Sequence, residues 1–373
     1  MAYPGYATSE GTEAYRKRFL DRLAPEHYRK VHGLWMSSIG VGTYLGDHDA
    51  PTDARYAESV ALAVRSGCNV IDSAINYRFQ RSERSVAAAL RALFEAGEAR
   101  REEVVVATKG GFIPFDGAPP RDAYELRSYM ETQFFRPGTI RREEVAAGCH
   151  CMTPAYLANQ LERSLRNLDL ECVDIYYVHN PETQLQEVRR EEFLSRLTEA
   201  FAFLEECVAR GVIRMYGTAT WEGYRRPSNA RDYLSLAEVV GCARKAGGEE
   251  HHFKVVQLPL NLAMPEAFAF QNQSVDGEKV SFLEAAASFR VAAMASGSIL
   301  QGQVARNLPA IVGEVFPGLE TDAQRAIQFV RSTPGLGVAL VGMKETAHVV
   351  ENLWLATKPP ADRDQYLKLF RRA

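Results

Sequence analysis

Residues 154–179 read PAYLANQLERSLRNLDLECVDIYYVH, an amphipathic stretch followed at once by a short apolar run. Thr153 and Pro154 supply an N-cap hydroxyl and a proline at the first helical position, so the spacing predicts a helix over Pro154–Leu168. The run Val173–His179 is almost continuously apolar, as expected of a parallel strand buried on both faces. The same alternation extends in both directions. Further candidate strands are Ser37–Gly42, Asn69–Asp72, Val104–Lys109, Ile213–Gly217, Val255–Pro259, Val291–Ala295 and Gly337–Gly342. Helical patterns lie at Ala54–Ser66, Ser82–Ala96, Arg190–Arg210, Ala230–Ala246, Val280–Ser288, Thr321–Ser332 and Glu345–Ala356, with Gly211 and Gly247 where C-cap glycines belong. Eight βα units predict an α/β fold, a closed (β/α)₈ TIM barrel. An open doubly wound sheet would bind a dinucleotide through a glycine-rich first turn, and Ile39-Gly40-Val41-Gly42-Thr43 is too short to be a GxGxxG motif.

The 373 residues exceed a typical barrel of about 250. The surplus divides into an N-terminal extension, residues 1–33, and a long loop, residues 110–152, within a single barrel domain over 34–373. Tyr15, Phe19, Leu20 and Leu23 predict one helix in the extension, which is expected to pack across the barrel bottom or to be a partly mobile tail. The loop's apolar and aromatic content (Phe112, Ile113, Phe115, Tyr124, Tyr129, Phe134, Phe135, Ile140) argues against disorder. The loop leaves the third strand at the catalytic mouth, so its aromatics are expected to form a lid or wall over the substrate pocket, with packing against the barrel side or an oligomer contact as the alternative.

With 44 Lys+Arg against 47 Asp+Glu, the formal net charge is −3, which offers no electrostatic case for nucleic acid or an anionic membrane. No run of eighteen apolar residues predicts a membrane span, and the opening residues do not read as a signal peptide. The scattered cysteines (Cys68, Cys149, Cys151, Cys172, Cys207, Cys242) are therefore expected to be reduced thiols and the location cytoplasmic. Cys149-His150-Cys151 and His251-His252 lack the spacing of a metal site, and none is expected. The pairs Arg141-Arg142 and Arg225-Arg226 are expected to be exposed loop charges.

Catalytic groups of such a barrel sit at the C-terminal ends of the strands, where the βα loops converge. The second candidate strand ends in Asp72, five residues before Tyr77; the third ends in Lys109 and the fourth in His179. A phenol has an ordinary pKa of about 10. A nearby ammonium would lower it, a carboxylate would hold that ammonium, and a histidine would orient a carbonyl oxygen. Tyr77, Lys109, Asp72 and His179 supply these parts.

At these residues the sequence resembles the aldo-keto reductase superfamily. The matching segments are IGVGTYLG, NVIDSAINY followed by RSERSVAAAL, VVVATK, LERSLRNLDLECVDIYYVHNPE, ARGVIRMYGTATW, VVQLPLNL and ALVGMKETAHVVENLWLA, in order over residues 34–358. The resemblance implies hydride transfer between NADP(H) and a carbonyl or alcohol (aldehyde, ketone or sugar), with Tyr77 as general acid or base. It places Gly42, Thr43, Tyr44 and Asp72 beside the nicotinamide and gives Gln257 to the carboxamide. The family's Gly-Val-Ser-Asn motif appears as Gly217-Thr218-Ala219-Thr220, leaving Thr220 with a hydroxyl and Ala219 with no polar group. Met294 falls where the family commonly places a tyrosine under the nicotinamide, followed by Ser296. Gly342, Lys344, His348 and Asn352 match the adenosine phosphate region, and Lys344 favours NADP(H) over NAD(H). The departures at Ala219, Thr220 and Met294 leave a second reading open, a regulatory or binding protein that senses cofactor state with little turnover. Substrate identity, physiological direction and oligomeric state are not encoded in any of these motifs.

Overall fold

A computed structural model describes residues 2–371. Eight parallel strands close into a barrel: β1 (Ile39–Gly42), β2 (Val70–Asp72), β3 (Val105–Gly110), β4 (Val173–His179), β5 (Ile213–Ala219), β6 (Phe253–Pro259), β7 (Ala292–Ser296) and β8 (Leu336–Gly342). Each pairs with its sequence neighbour, and β8 closes onto β1 through Ala339 opposite Ile39. Each strand is followed by a helix of the outer ring: α1 (Ala50–Arg65), α2 (Arg81–Glu95), α3 (Pro154–Leu168), α4 (Arg190–Ala209), α5 (Leu236–Gly247), α6 (Phe282–Ser288), α7 (Asp322–Ser332) and α8 (Thr346–Trp354). All eight strands and all eight helices lie where the sequence places them, with ends shifted. This is the (β/α)₈ barrel the alternation predicts.

Side chains two apart on a strand share a face, and this period fills the interior. Val70, Val105, Ala107, Ile175, Tyr177, Val255, Met294, Val338 and Leu340 form one buried cluster inside the barrel. Two residues beyond the uppermost of these on their own strands stand Asp72, Lys109, His179, Gln257, Ser296 and Gly342. The site is thus the last inward layer of the same packing pattern.

Some boundaries differ from the sequence reading for local reasons. Helix α5 begins at Leu236, not Ala230, because the Ser235 hydroxyl caps Glu238 N while the backbone of residues 227–233 turns. It also runs through Gly247, and the left-handed turn that ends it is at Gly248. Val280 belongs to a two-stranded hairpin (Gln273–Val275 with Glu278–Val280), and the Ser281–Glu284 capping box starts α6 only afterwards.

The N-terminal extension packs across the barrel bottom, though less simply than one helix. Its helix spans Ser9–Lys17 and buries Tyr15, whose hydroxyl donates to Val64 O at 2.5 Å. Leu20 lies beyond the helix and is exposed, whereas Phe19 is buried. A hairpin follows, Tyr28–Val31 with Leu34–Ser37. Val31, Leu34 and Met36 join the interior cluster and plug it from below. The hairpin straddles residues 33 and 34, so the extension and the barrel share one core.

Residues 110–152 do not form the expected lid. They fold into a subdomain with its own apolar cluster (Ile113, Met130, Phe134, Ile140, Cys151) seated on Tyr156 of α3. The segment returns to its origin: Phe112 bridges His150, Ile113 N donates to Cys149 O, and Cys151 N donates to Gly111 O. Arg225 also departs from expectation, since it is largely buried and forms a two-pronged pair with Glu266 at 2.8 and 3.2 Å. Arg141 and Arg142 are exposed. Among the described residues no helix is long and apolar enough to cross a membrane.

Candidate active site

The C-terminal end of the barrel opens into a cavity of about 730 Å³. It runs from Tyr77 and His179 at one end to Lys344 and His348 at the other. Beneath the first end lies a buried ion pair: Lys109 Nζ donates to Asp72 Oδ2 at 2.6 Å and to Ser73 O at 2.7 Å. Asp72 Oδ1 accepts from Gln257 Nε2 at 2.7 Å, so both carboxylate oxygens are engaged. Burial lowers the Lys109 ammonium from its ordinary range, against the opposing pull of Asp72.

Tyr77 stands above this pair, with Lys109 Nζ 4.8 Å from its ring centroid. Its ring is edge-on to Tyr44 at 4.9 Å and to His179 at 5.9 Å. The expected depression of the phenol by lysine is not what this geometry gives. Burial, then the Asp72 charge and Tyr44, push Tyr77 well above the ordinary phenol range, while the Lys109 ammonium is engaged by Asp72 and Ser73 O. The phenol is therefore held as an acid. His179 is pushed well below the ordinary imidazole range by burial, by Lys109 and by His150, and is neutral.

The residues expected to hold a cofactor divide into two groups. Gly42, Thr43, Tyr44, Asp72, Thr220, Gln257, Ser296, Gly342, Lys344 and His348 all line the cavity. Thr43 spends its hydroxyl on Asp72 O and Ser73 Oγ, which leaves it a floor residue. Thr220 Oγ1 is buried without a hydrogen-bond partner and belongs to a residue of the cavity wall. Among the described residues Lys344 has a single ion-pair partner, Glu345 at 3.8 Å, which also meets Arg55 at 3.2 Å.

Met294 and Asn352 do not reach the cavity wall. Met294 lies one inward layer below Ser296, inside the barrel, where Tyr177 OH donates to its sulfur at 3.3 Å. Asn352 is buried on α8. Phe112, one of the loop aromatics expected over the pocket, lines the mouth, which also contains residues that sequence reasoning missed: Asn76, Asn180, Trp221 and the turn Gly297–Gly302. Three of these adjoin Tyr77, His179 and Thr220 in sequence, which was a usable signal. The turn had none, since its left-handed Leu300 and Gln301 are conformations no motif announces. Among the described residues no group of three or more His, Cys, Asp or Glu side chains is placed to hold a metal ion.

The sequence pattern of the Aldo/keto reductase family matches residues 38–238, from the strand before Asp72 to beyond Thr220. The chain belongs to the aldo/keto reductase family. An NADH-specific methylglyoxal reductase of Escherichia coli (strain K12) is 30% identical over 220 residues, covering 55% of this chain and 54% of that protein. Human aldo-keto reductase family 1 member C2 is 29% identical over 152 residues, 40% of this chain and 33% of its own length. The chain thus matches about half or less of the length of these curated relatives. Among solved structures, an aldo/keto reductase of Klebsiella pneumoniae in complex with NADP and acetate superposes with a TM-score of 0.60 at 19% identity, covering 92% of this chain and 95% of that one. The glycerol dehydrogenase of Gluconobacter oxydans gives 0.62 at 18% identity, covering 92% and 94%. At such identities these two show the shared barrel.

Proposed function

We propose that this aldo/keto reductase is an NADP(H)-dependent oxidoreductase that interconverts a carbonyl and an alcohol, with Tyr77 as the general acid or base. The observation that carries this is the placement of Tyr77 and neutral His179 at one end of an elongated cavity, over a buried Lys109–Asp72 pair. The cavity residues fit the cofactor. The orphaned Thr220 Oγ1 offers a hydrogen bond to a polar group, Ser296 adds a second hydroxyl, and Lys344 brings a cation to the far end. When bound, a reduced nicotinamide supplies the hydride.

The chain's own groups do the rest. His179 offers an imidazole to the substrate oxygen and orients it toward Tyr77. Tyr77, kept protonated by burial, delivers its proton to that oxygen as the carbonyl becomes an alcohol, and retrieves it in the reverse direction. Lys109, 4.8 Å from the Tyr77 ring centroid, offsets part of the cost of the phenolate that proton transfer leaves; Asp72, itself held by Gln257, fixes the lysine. The aromatic wall of Tyr44, Phe112 and Trp221, with the amides of Asn76 and Asn180, suits a small neutral carbonyl or alcohol substrate.

Lys344 supports NADP(H), while the Glu345 carboxylate beside it and the NADH-specific relative support some use of NAD(H). The free, mostly buried thiols support the expected cytoplasmic location. The cofactor-sensing alternative draws on Ala219, which brings no polar group to the wall, and on Gln257, whose amide nitrogen is committed to Asp72. NADPH and NADH fluorescence titration followed by turnover on a panel of aldehydes, ketones and alcohols tests the choice. Tyr77→Phe should lower kcat by about 10²- to 10⁴-fold with cofactor affinity unchanged. Retained activity sinks the assignment, and binding without turnover in the unaltered chain favours the sensor.

A further inference from the structure

We infer that His150, delivered by the 110–152 insertion, is a positioning residue that fixes the backbone of His179 through a relay running from Arg196 through Gln184. The inference deepens the proposed function and rests on it for its catalytic consequence. His150 is wholly buried, and its Nε2 lies 2.7 Å from the carbonyl oxygen of His179. Its Nδ1 lies 2.9 Å from Gln184 Nε2, which also donates to His150 O at 3.2 Å. Gln184 Oε1 accepts from Arg196 Nη1 at 2.6 Å.

These partners determine where the protons are. A guanidinium only donates, so the Gln184 oxygen faces Arg196 and its amide nitrogen faces His150. Nδ1 must then accept, which places the ring proton on Nε2, pointing at the His179 carbonyl. Burial keeps the ring neutral by lowering it to about 4, so the tautomer is single near neutrality.

The surroundings leave no slack. Gly111 has φ near +149°, and a Cβ there would sit 2.7 Å from His179 O and 2.8 Å from His150 Nε2. Phe112 stands edge-on to His150 at 5.4 Å and to His179 at 5.1 Å, so one ring braces both imidazoles. Ala147 N donates to Glu187, tying the insertion to the segment after β4 a second time. The insertion therefore reaches the reaction centre from behind, as a clamp on the strand end that carries His179.

The test uses the full chain. His150→Phe keeps the volume and removes both ring hydrogen bonds; it should lower kcat about 10- to 100-fold, since small misplacements of a catalytic group cost this much, with NADPH affinity unchanged. His150→Gln can still donate from Nε2 to His179 O and should recover most of the loss. A folded His150→Phe chain with wild-type kcat overturns the inference, as does a parallel fall in NADPH affinity or a Gln variant no better than Phe. Imidazole ¹⁵N spectra supply a readout independent of turnover. His150 should appear as a neutral Nε2–H ring from about pH 6 to 8, and His150→Phe should shift the His179 ring signals. An Nδ1–H or charged His150, or unmoved His179 signals, overturns the relay even in a folded, active chain. If the unaltered chain turns over no carbonyl, the proposed function falls alone, and these spectra still decide the relay.

Discussion

Among the described residues the barrel buries a carboxylate–cation pair at each end, and the upper one lies beneath the cavity. At the bottom, Asp174 takes Ala7 N at 2.7 Å on one oxygen, and Val106 N at 2.7 Å and Arg101 at 2.9 Å on the other. Arg101 also donates to Val104 O and Cys172 O, so a planar guanidinium stitches the extension, β3 and β4 together. At the top, Asp72 holds Lys109 equally deep, but the cation is a single ammonium lying under the face of a tyrosine that opens into the cavity. Burial of an ion pair therefore says little about its use. What differs is the neighbour: backbone groups and a closed core below, an ionisable phenol and an open volume above.

Breaking the bottom pair should give the largest change in stability. Arg101→Met leaves Asp174 buried and unpaired, which should cost about 3–5 kcal/mol of unfolding free energy in denaturant titration while kcat of the folded fraction stays the same. Lys109→Met should do the reverse in emphasis, lowering kcat at least about 100-fold. Equal effects of the two variants on kcat would erase the distinction between the ends.

The buried histidines sharpen it next. His27 lies at the bottom with its ring between Ser38 Oγ and Gly67 O, and is lowered to about 3; His150 near the top is lowered to about 4. Both have folded pKa values below the unfolded one, so the unfolded chain binds protons first. Their contribution is whole above about pH 6.5, is lost as pH falls toward 4 and then 3, and amounts to about 3 kcal/mol or more for each. His150→Phe should flatten part of this acid slope in thermal melts, and His27→Gln the rest; an unchanged slope in both would refute the assignment. The pH dependence of carbonyl reduction should be much weaker. With Tyr77 raised and His179 lowered, both proposed catalytic groups keep their protonation state across about pH 6–9, so kcat should be flat there. A limb near pH 7 would show that one of them titrates.

The smallest effect concerns the insertion. Phe112 is its contribution to the cavity wall, and Phe112→Ala should change relative kcat/KM across a carbonyl panel by less than about tenfold. Shortening the outer part, residues 116–139, should leave substrate preference unchanged. A large change in preference would restore the lid that the loop's position suggests.

Strand and helix positions were legible because period-2 and period-3.6 patterns are local properties of the chain. Asp72, Lys109 and His179 were legible because each ends an apolar run, and Tyr77 because it follows Asp72 by five residues. The placement of Met294 was not, because one inward layer separates the cavity floor from the core, and sequence alignment does not resolve a step of two residues on a strand. Lys109 was legible; the net direction of the Tyr77 shift was not, because burial and the Asp72 charge also act on the phenol. The lid expectation failed similarly, since aromatic content shows that a loop packs but not against what.

The chain's order of elements determined the barrel, its eight units and the three strand-end groups Asp72, Lys109 and His179, because backbone pairing and alternating burial follow from local pattern. Only the tertiary structure decided which of two buried ion pairs faces a cavity, that His150 reaches back to His179, and that the insertion folds onto α3. Those outcomes rest on contacts between residues far apart in sequence, where a difference of a few ångströms decides which donor meets which acceptor.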